Sequence, residues 1–325
     1  MVALVAERLS VEQRVAVYGA SEEPTVHRGV PWWPQDQLWR SAEENPRALI
    51  VPRMPLWAGQ SGPMPGVRRI AWLTEPHYAA LDDKVAANWD RMVVVSQWHK
   101  ARLAAAHGVR PDRMTVIPNG LQPEHFSGSA PKRERHRFFW ASSPDRGLLR
   151  LLRLWARIRD RLPEATLEVY NGWRAIEALA RHSAVWAARH RSLRLQYEVL
   201  RCQAGVIERG MVAPVDLARA FQAASVWLYP TDVEETFCII AIKALAAGCL
   251  PVTSALGALP ETARGGILLA PPRGDENGTY DDAFVRAAVQ AVEVSDAERA
   301  RISQRAIAEY DIRGVGRLWQ ELIDG

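Results

Sequence analysis

Short aliphatic runs of strand length alternate with segments of helical period along most of this 325-residue chain, which restricts it to α/β architectures. Candidate strands in the first part are Val15–Tyr18, Ala48–Val51, Ile70–Leu73, Met92–Ser96 and Met114–Ile117. Phe138–Ala141, Thr166–Tyr170, Ser225–Tyr229, Leu250–Val252 and Ile267–Leu269 follow in the second. Between them lie helical stretches at Trp98–His107, from Leu148, at Pro214–Ala223 and at Thr236–Ala247, the last stopped by Gly248. Residues from 281 to 322 read as helices only. Strands joined through helices predict parallel, doubly wound sheets, and the Pro-, Gly- and charge-rich run 118–137 marks a boundary between two such halves.

Composition removes several classes. The three cysteines, Cys202, Cys238 and Cys249, stand singly without metal-type spacing, which fits a reducing, cytoplasmic setting. The first twenty residues lack the apolar core of a secretion signal. The most apolar stretch, 238–260, is broken by Lys243, Gly248, Pro251 and Gly257, so a soluble or peripherally attached protein is expected. Net charge is only +4, yet residues 131–201 carry 16 basic and 7 acidic groups, nearly all the basic ones arginine. Such a segment could face phosphates, an anionic membrane or simply water. Few aromatics interleave those arginines, so nucleic acid is not an expected partner.

Dinucleotide, P-loop, nucleophile-elbow and H-E-x-x-H motifs are all missing, as is any D-x-D pair that would supply hard oxygen ligands to a divalent cation. No metal or cofactor is expected, and any phosphate would be met by backbone dipoles and arginine. The informative stretch is 225–262: a buried strand, SVWLYP, a polar turn, the pair Glu234–Glu235, a helix, and a second loop, 254–262, leaving the next strand at the same edge. Ligands in open α/β sheets gather at the carboxyl ends of strands. The amides of Thr236, Phe237 and Cys238, at the expected helix N-terminus, suit a phosphate, with Glu235 beside it to accept from sugar hydroxyls. The acidic pair equally suits plain helix N-terminal capping.

Four segments taken together resemble the family 4 glycosyltransferases of the GT-B fold: VVVSQWHKARLAAAHGVRPDRMTVIPNGL (93–121), FFWASSPDRGLLRLL (138–152), DLARAFQAASVWLYPT (216–231) and EETFCIIAIKALAAGCLPVTSALGALPET (234–262). The resemblance implies two Rossmann-like doubly wound domains facing across a cleft, at 1–128 on the acceptor side and 129–305 on the nucleotide-sugar side. A final helix, 306–325, would pack back toward the first. It implies transfer of a sugar from a nucleoside-diphosphate co-substrate to a glycan or lipid-linked acceptor, with retention and without a metal. The alternative is a degenerate, non-catalytic GT-B protein that binds a sugar nucleotide or glycan, or that partners an active transferase. Arg146 matches the family's basic residue on the diphosphate and Glu235 the first glutamate of its E-x7-E motif. Gly257, Ala258 and Leu259 match a loop near sugar and phosphate, while Gly172 and Gly210 would lie near the base. In the first domain Thr74 aligns where relatives carry a histidine, so His77, three residues on, and Arg53, after the strand ALIV, are the candidates there.

The departures are as specific. The second glutamate of the motif falls at Lys243, which can donate to ribose oxygens or a phosphate but cannot accept. The family's other basic phosphate ligand falls at Ser142 or Ser143, which bring no charge. At the front, the chain is expected to enter inside the first helix, so that Val15–Tyr18 would be a second strand and the first strand is lacking. A central strand missing from a doubly wound sheet predicts unpaired edges or a rearranged domain.

Overall fold

The structure, a computed structural model, describes residues 1–19, 21–59, 65–128, 130–272 and 278–325. It forms two compact units, Met1–Leu121 with Tyr310–Gly325, and Gln122–Glu309. The expected divisions lie at 128/129 and 305/306, and Ser129 itself lies outside the described residues. In chain order the first unit has α1 (Val2–Leu9), β1 (Val17–Gly19), β2 (Thr25–His27), β3 (Val30–Pro34), α2 (Arg40–Glu43), β4 (Ala48–Pro52), β5 (Arg68–Trp72), α3 (Asp83–Ala86), β6 (Arg91–Val94), α4 (Gln97–His107) and β7 (Met114–Val116). The second has β8 (Glu134–Ser142), α5 (Leu148–Arg159), β9 (Thr166–Asn171), α6 (Arg174–His182), α7 (Ala184–Leu200), β10 (Val206–Glu208), α8 (Pro214–Ala223), β11 (Ala224–Tyr229), α9 (Ile239–Ala246), β12 (Leu250–Ser254), α10 (Leu259–Thr262), β13 (Ile267–Leu269), α11 (Thr279–Ala291) and α12 (Asp296–Tyr310). Helix α13 (Ile312–Asp324) returns to the first unit.

In the first unit β4, β5, β6 and β7 form a parallel sheet in that order. Successive strand residues point to opposite faces: Ala71, Met92 and Val94 meet Leu103 and Trp89 on one side, while Ile70, Trp72 and Val93 meet Val5, Leu9, Val315 and Trp319 on the other. Trp72 and Trp319 touch edge to face, centroids 4.9 Å apart. Leu121 accepts from Ile312 and donates to Tyr310. A Cβ on Gly120 would stand 2.8 Å from Ile312 Cδ1 and 3.1 Å from its Cα, so a larger residue in the P-N-G turn would press on the start of α13. The unpaired central edges expected in this sheet do not occur, because β4 pairs directly with β5 over five residues. Val15–Tyr18 is not a second strand of this sheet: β1 pairs with β3 in a separate three-stranded sheet. A two-residue hairpin through Arg28 and Gly29, both at positive φ, fixes β2 against β3 and leaves the other edge of β3 open to β1.

The second unit holds a six-stranded parallel sheet ordered β10-β9-β8-β11-β12-β13. Strand order reverses between β8 and β11, which makes their carboxyl ends the switch point where a ligand crevice opens. All six residues of β11 are buried, and α5 buries Leu148, Leu151, Leu152, Trp155 and Ile158 against the sheet. On the sheet's other end, Arg299 of α12 is 4 % exposed and donates to the carbonyls of Ser225, Gly248, Ala291 and Val294.

Candidate active site

At the switch point β8 ends in Ser142 and turns through Ser143, whose carbonyl accepts from the Arg146 amide at 3.0 Å. Gly147 follows at φ +96°, and a Cβ there would stand 2.5 Å from the Pro230 carbonyl oxygen. Only glycine lets this loop close on the end of β11. The closure puts Arg146 Nη1 2.7 Å from Glu235 Oε1. The hydroxyl of Tyr229, last residue of β11, donates to the same oxygen at 2.6 Å, and Ser142 Oγ lies 3.4 Å from that hydroxyl. Burial lowers the Arg146 pKa, but Glu235 and Tyr229 together raise it by more, so the guanidinium stays charged. Burial, then the Glu235 charge, push the fully buried Tyr229 phenol well up, so it remains a neutral donor.

The second loop completes the carboxylate's setting from the backbone side. Ala258 N–H donates to the Glu235 carbonyl at 2.7 Å, and Gly257, at φ +62°, lies so close that a Cβ would meet Glu235 O at 2.5 Å. Leu259 is fully buried and opens α10. Thr253 and Ser254 hydroxyls bond the carbonyls of Tyr229 and Thr231, which ties the ends of β11 and β12 together. The helix behind Glu235 starts later than expected, at Ile239 rather than Thr236. Its first turn would need the Glu235 carbonyl, which Ala258 already occupies. Thr236, Phe237 and Cys238 therefore lead into the helix, and the amides of Ile239 and Ile240 are the first that lack intrahelical acceptors. Cys238 is buried there, its thiol pKa pushed up by burial and then by Glu235.

Lys243 lies on the half-buried face of α9 with Ile239 and Ile240, one turn behind them. Its ammonium has no hydrogen-bond or ion-pair partner among the described residues, and burial lowers its pKa. Past β9 and β10, a Cβ on Gly172 would stand 3.4 Å from Met211 Sδ, and Gly210 turns at φ +66°. Met211 is 65 % exposed there, an open apolar platform. Below it Glu168, nearly fully buried, takes Arg209 at 2.7 Å and the Tyr170 hydroxyl at 3.0 Å.

In the first unit the structure joins Arg53 to Thr74. Arg53, at φ +64°, donates from its amide to Trp72 O and from Nε to Thr74 Oγ1 at 3.0 Å, with Glu75 Oε1 at 3.4 Å. The Thr74 and Glu75 amides both donate to the Tyr78 hydroxyl, at 2.7 and 2.9 Å. His99 is fully buried: Nδ1 accepts from Val95 N–H, so Nε2 donates to Glu75 O at 2.8 Å. Burial brings its pKa down to about 4. His77 stands apart, exposed and stacked on His107 with centroids 4.6 Å apart. Tyr229, Glu75, Tyr78 and His99 escaped the sequence reading. Tyr229 alone had a signal, its place at the end of a strand that enters the acidic loop.

Two family models match the chain, Glycosyltransferase Family 4 over residues 54–125 and Glycosyl transferases group 1 over 137–293. The chain belongs to the family 4 glycosyltransferases. The chain is 24 % identical over 268 residues to the lipopolysaccharide 1,2-N-acetylglucosaminetransferase of Salmonella typhimurium, covering 74 % of the present chain and 64 % of that relative's length. Its fold is similar to a glycosyltransferase from Rickettsia africae, with TM-score 0.74 and 13 % identity over 99 % of this chain and 92 % of that one. HepE of Anabaena, solved with UDP and glucose, gives TM-score 0.73 and 13 % identity over 99 % and 95 %. The fold is GT-B with two Rossmann-like domains. The group 1 match takes in Ser142, Arg146, Tyr229, Glu235, Lys243 and Gly257, and the family 4 match takes in Thr74, His77 and His99.

Proposed function

We propose that this glycosyltransferase moves a sugar from a nucleoside-diphosphate donor to a hydroxyl of a glycan, lipid-linked glycan or polysaccharide, in the cytoplasm or at the inner membrane face. The reading rests on the Glu235 carboxylate, held between Arg146 and Tyr229 at the switch point of the second sheet. The donor diphosphate lies on Arg146 and the first amides of α9, where preorganised donors stabilise the charge that builds on the leaving phosphate. Glu235 and the backbone at Gly257–Ala258 orient the sugar, and the base rests by Gly172, Gly210 and Met211. No side chain in the cluster is an activated nucleophile. The departing phosphate oxygen therefore takes the acceptor's proton as the new bond forms on the same face, with retention and without a metal. Arg53 and Thr74 belong to the acceptor side.

Donor hydrolysis and transfer measured with a panel of nucleotide-sugars test this, and Glu235→Ala is expected to lose about a hundredfold or more in kcat. Donor binding without turnover by the native chain would reject the enzymatic reading. One observation favours that second, non-catalytic reading: Lys243 cannot accept from a ribose diol as a carboxylate does. Lys243→Glu decides between them, since a gain of turnover in that variant alone points to a degenerate binder.

A further inference from the structure

The arginines of the basic segment cease to be equivalent once their partners are known. Four arginines of β8 and α5 are neutralised inside the unit, Arg135 by Glu293, Arg137 by Glu134, Arg150 by Asp281 and Arg157 by Asp282, while Arg153 and Arg159 bond the Gln196 side chain and the Pro163 carbonyl. The hairpin of α6 and α7, joined through Ser183, differs. Its acids Glu177 and Glu198 turn to Arg194 and Arg201. Exposed Arg174, Arg181, Arg189 and Arg191 have no carboxylate partner among the described residues. The hairpin thus carries a cluster of four exposed arginines without carboxylate partners.

Helix α7 has two unlike sides. Trp186, His190, Leu193, Tyr197 and Leu200 recur at three- and four-residue steps and turn inward, where Trp173 meets the rings of His190 and Tyr197. On the opposite side Val185, Ala188, Ser192, Leu195 and Val199 recur at the same steps and form a straight ridge about 21 Å long. Val185, Leu195 and Val199 are 78, 72 and 75 % exposed. Scattered exposed apolar residues are ordinary, but here they are aligned, and Arg189 and Arg191 flank them on either side.

We propose that this face of α7 rests on an anionic bilayer, which deepens the reading of an enzyme acting at the inner membrane face. The ridge enters the boundary between headgroups and acyl chains while Arg189, Arg191 and Arg181 meet lipid phosphates. Charge decides against a second copy of the chain as the occupant. Arg189 and Arg191 lie close to the ridge midpoint at Ser192, so self-pairing in either direction sets arginine against arginine with no acid between them.

Co-sedimentation of the full chain with vesicles of phosphatidylcholine containing about one-third phosphatidylglycerol tests the proposal, with neutral vesicles as the comparison. Binding to the anionic vesicles is expected at about 0.1 M salt and is expected to be lost near 1 M, where the Debye length falls to about 3 Å. Val185→Ser with Leu195→Ser and Val199→Ser, and separately Arg189→Glu with Arg191→Glu, should each weaken binding about tenfold or more. A Leu195→Trp variant should be quenched by brominated lipid. All these side chains are exposed, so unchanged thermal unfolding confirms that the variants fold. Absence of binding by the native chain, binding retained in both variants, or a ridge variant that turns a dimer into a monomer overturns the proposal. Transfer to a water-soluble acceptor without vesicles should be the same in all variants. Its failure in the native chain alongside intact vesicle binding counts against the transferase reading and leaves this surface standing.

Discussion

Tyr229→Phe isolates the one hydrogen bond that makes the strand end part of the site. The phenol donates at 2.6 Å to Glu235 Oε1, and the tyrosine is fully buried, so water cannot replace the lost donor. A hydrogen bond to a charged group contributes about 1.5–3 kcal/mol net. Arg146 remains on the same oxygen, and its side chain is about one-third exposed, so the pair stays assembled and partly solvated. The lower half of that range is therefore the better figure, about 1.5–2 kcal/mol. At about 1.4 kcal/mol per tenfold, kcat should fall about ten- to thirtyfold if the phenol steadies Glu235 through the reaction, with little change in KM. Thermal unfolding of the second unit should drop about 3–8 °C. In a Glu235→Gln background the same substitution should cost about 1 kcal/mol or less, because the acceptor is neutral. Steady-state kinetics and calorimetry on the four proteins of this cycle read the coupling. A Tyr229→Phe protein with native kcat and native unfolding temperature would refute the reasoning, as would an equal loss in both backgrounds.

Four further outcomes follow from the geometry. His99, with a folded pKa of about 4 against about 6.5 unfolded, is neutral when folded, so it contributes about 3 kcal/mol above pH 6.5 that is lost as pH falls toward 4. Unfolding of His99→Gln followed against pH should be correspondingly flatter in that window; an unchanged slope rejects the assignment. Gly147→Ala, at φ +96° with its Cβ 2.5 Å from Pro230 O, should cost at least about 2 kcal/mol and weaken donor binding, measured by denaturation and titration. Arg299→Met strips four carbonyls of a buried donor and should cost about 3 kcal/mol in urea unfolding without altering donor affinity. Lys243→Met relieves a half-buried unpaired ammonium, so the unliganded chain should unfold at the same or a higher temperature while the stabilisation added by donor shrinks; the reverse pattern would show that the lysine serves packing.

The second unit was legible because its strands are buried on both faces and its helices carry period on one. Ser225–Tyr229 and Leu250–Val252 read as continuous apolar runs, and the apolar steps from Leu148 to Ile158 gave α5 its inward side. The first unit misled where local and distant pairings compete. Val15–Tyr18 has the composition of a core strand, but its partner was decided by the turn at Arg28 and Gly29, where a non-glycine residue at φ +49° carries no advance signal. Helix α7 was missed because its apolar residues lie on two opposite sides, which blurs any single period.

The site raises a different difficulty, since the same residues satisfied two readings. Glu234 and Glu235 precede an apolar helical run, and acids in that position ordinarily cap the helix and complement its dipole. What separates capping from ligand binding is where the Glu235 backbone and side chain go. Its carbonyl is taken by Ala258 from a loop more than twenty residues on, which delays the helix to Ile239. Its carboxylate is then carried away from the helix amides to Arg146, a residue from the far side of the switch point. Both partners depend on glycines at positive φ, Gly257 and Gly147, whose missing Cβ atoms allow backbone to approach within van der Waals distance. Composition cannot show such an approach, because a glycine required by contact and a glycine in an open turn are the same letter. Gly210 and Gly278, with positive φ and nothing within 4 Å, are of the second kind. Substituting the two kinds in parallel therefore separates the backbone's part in the site from the loss of chain flexibility that any glycine replacement brings.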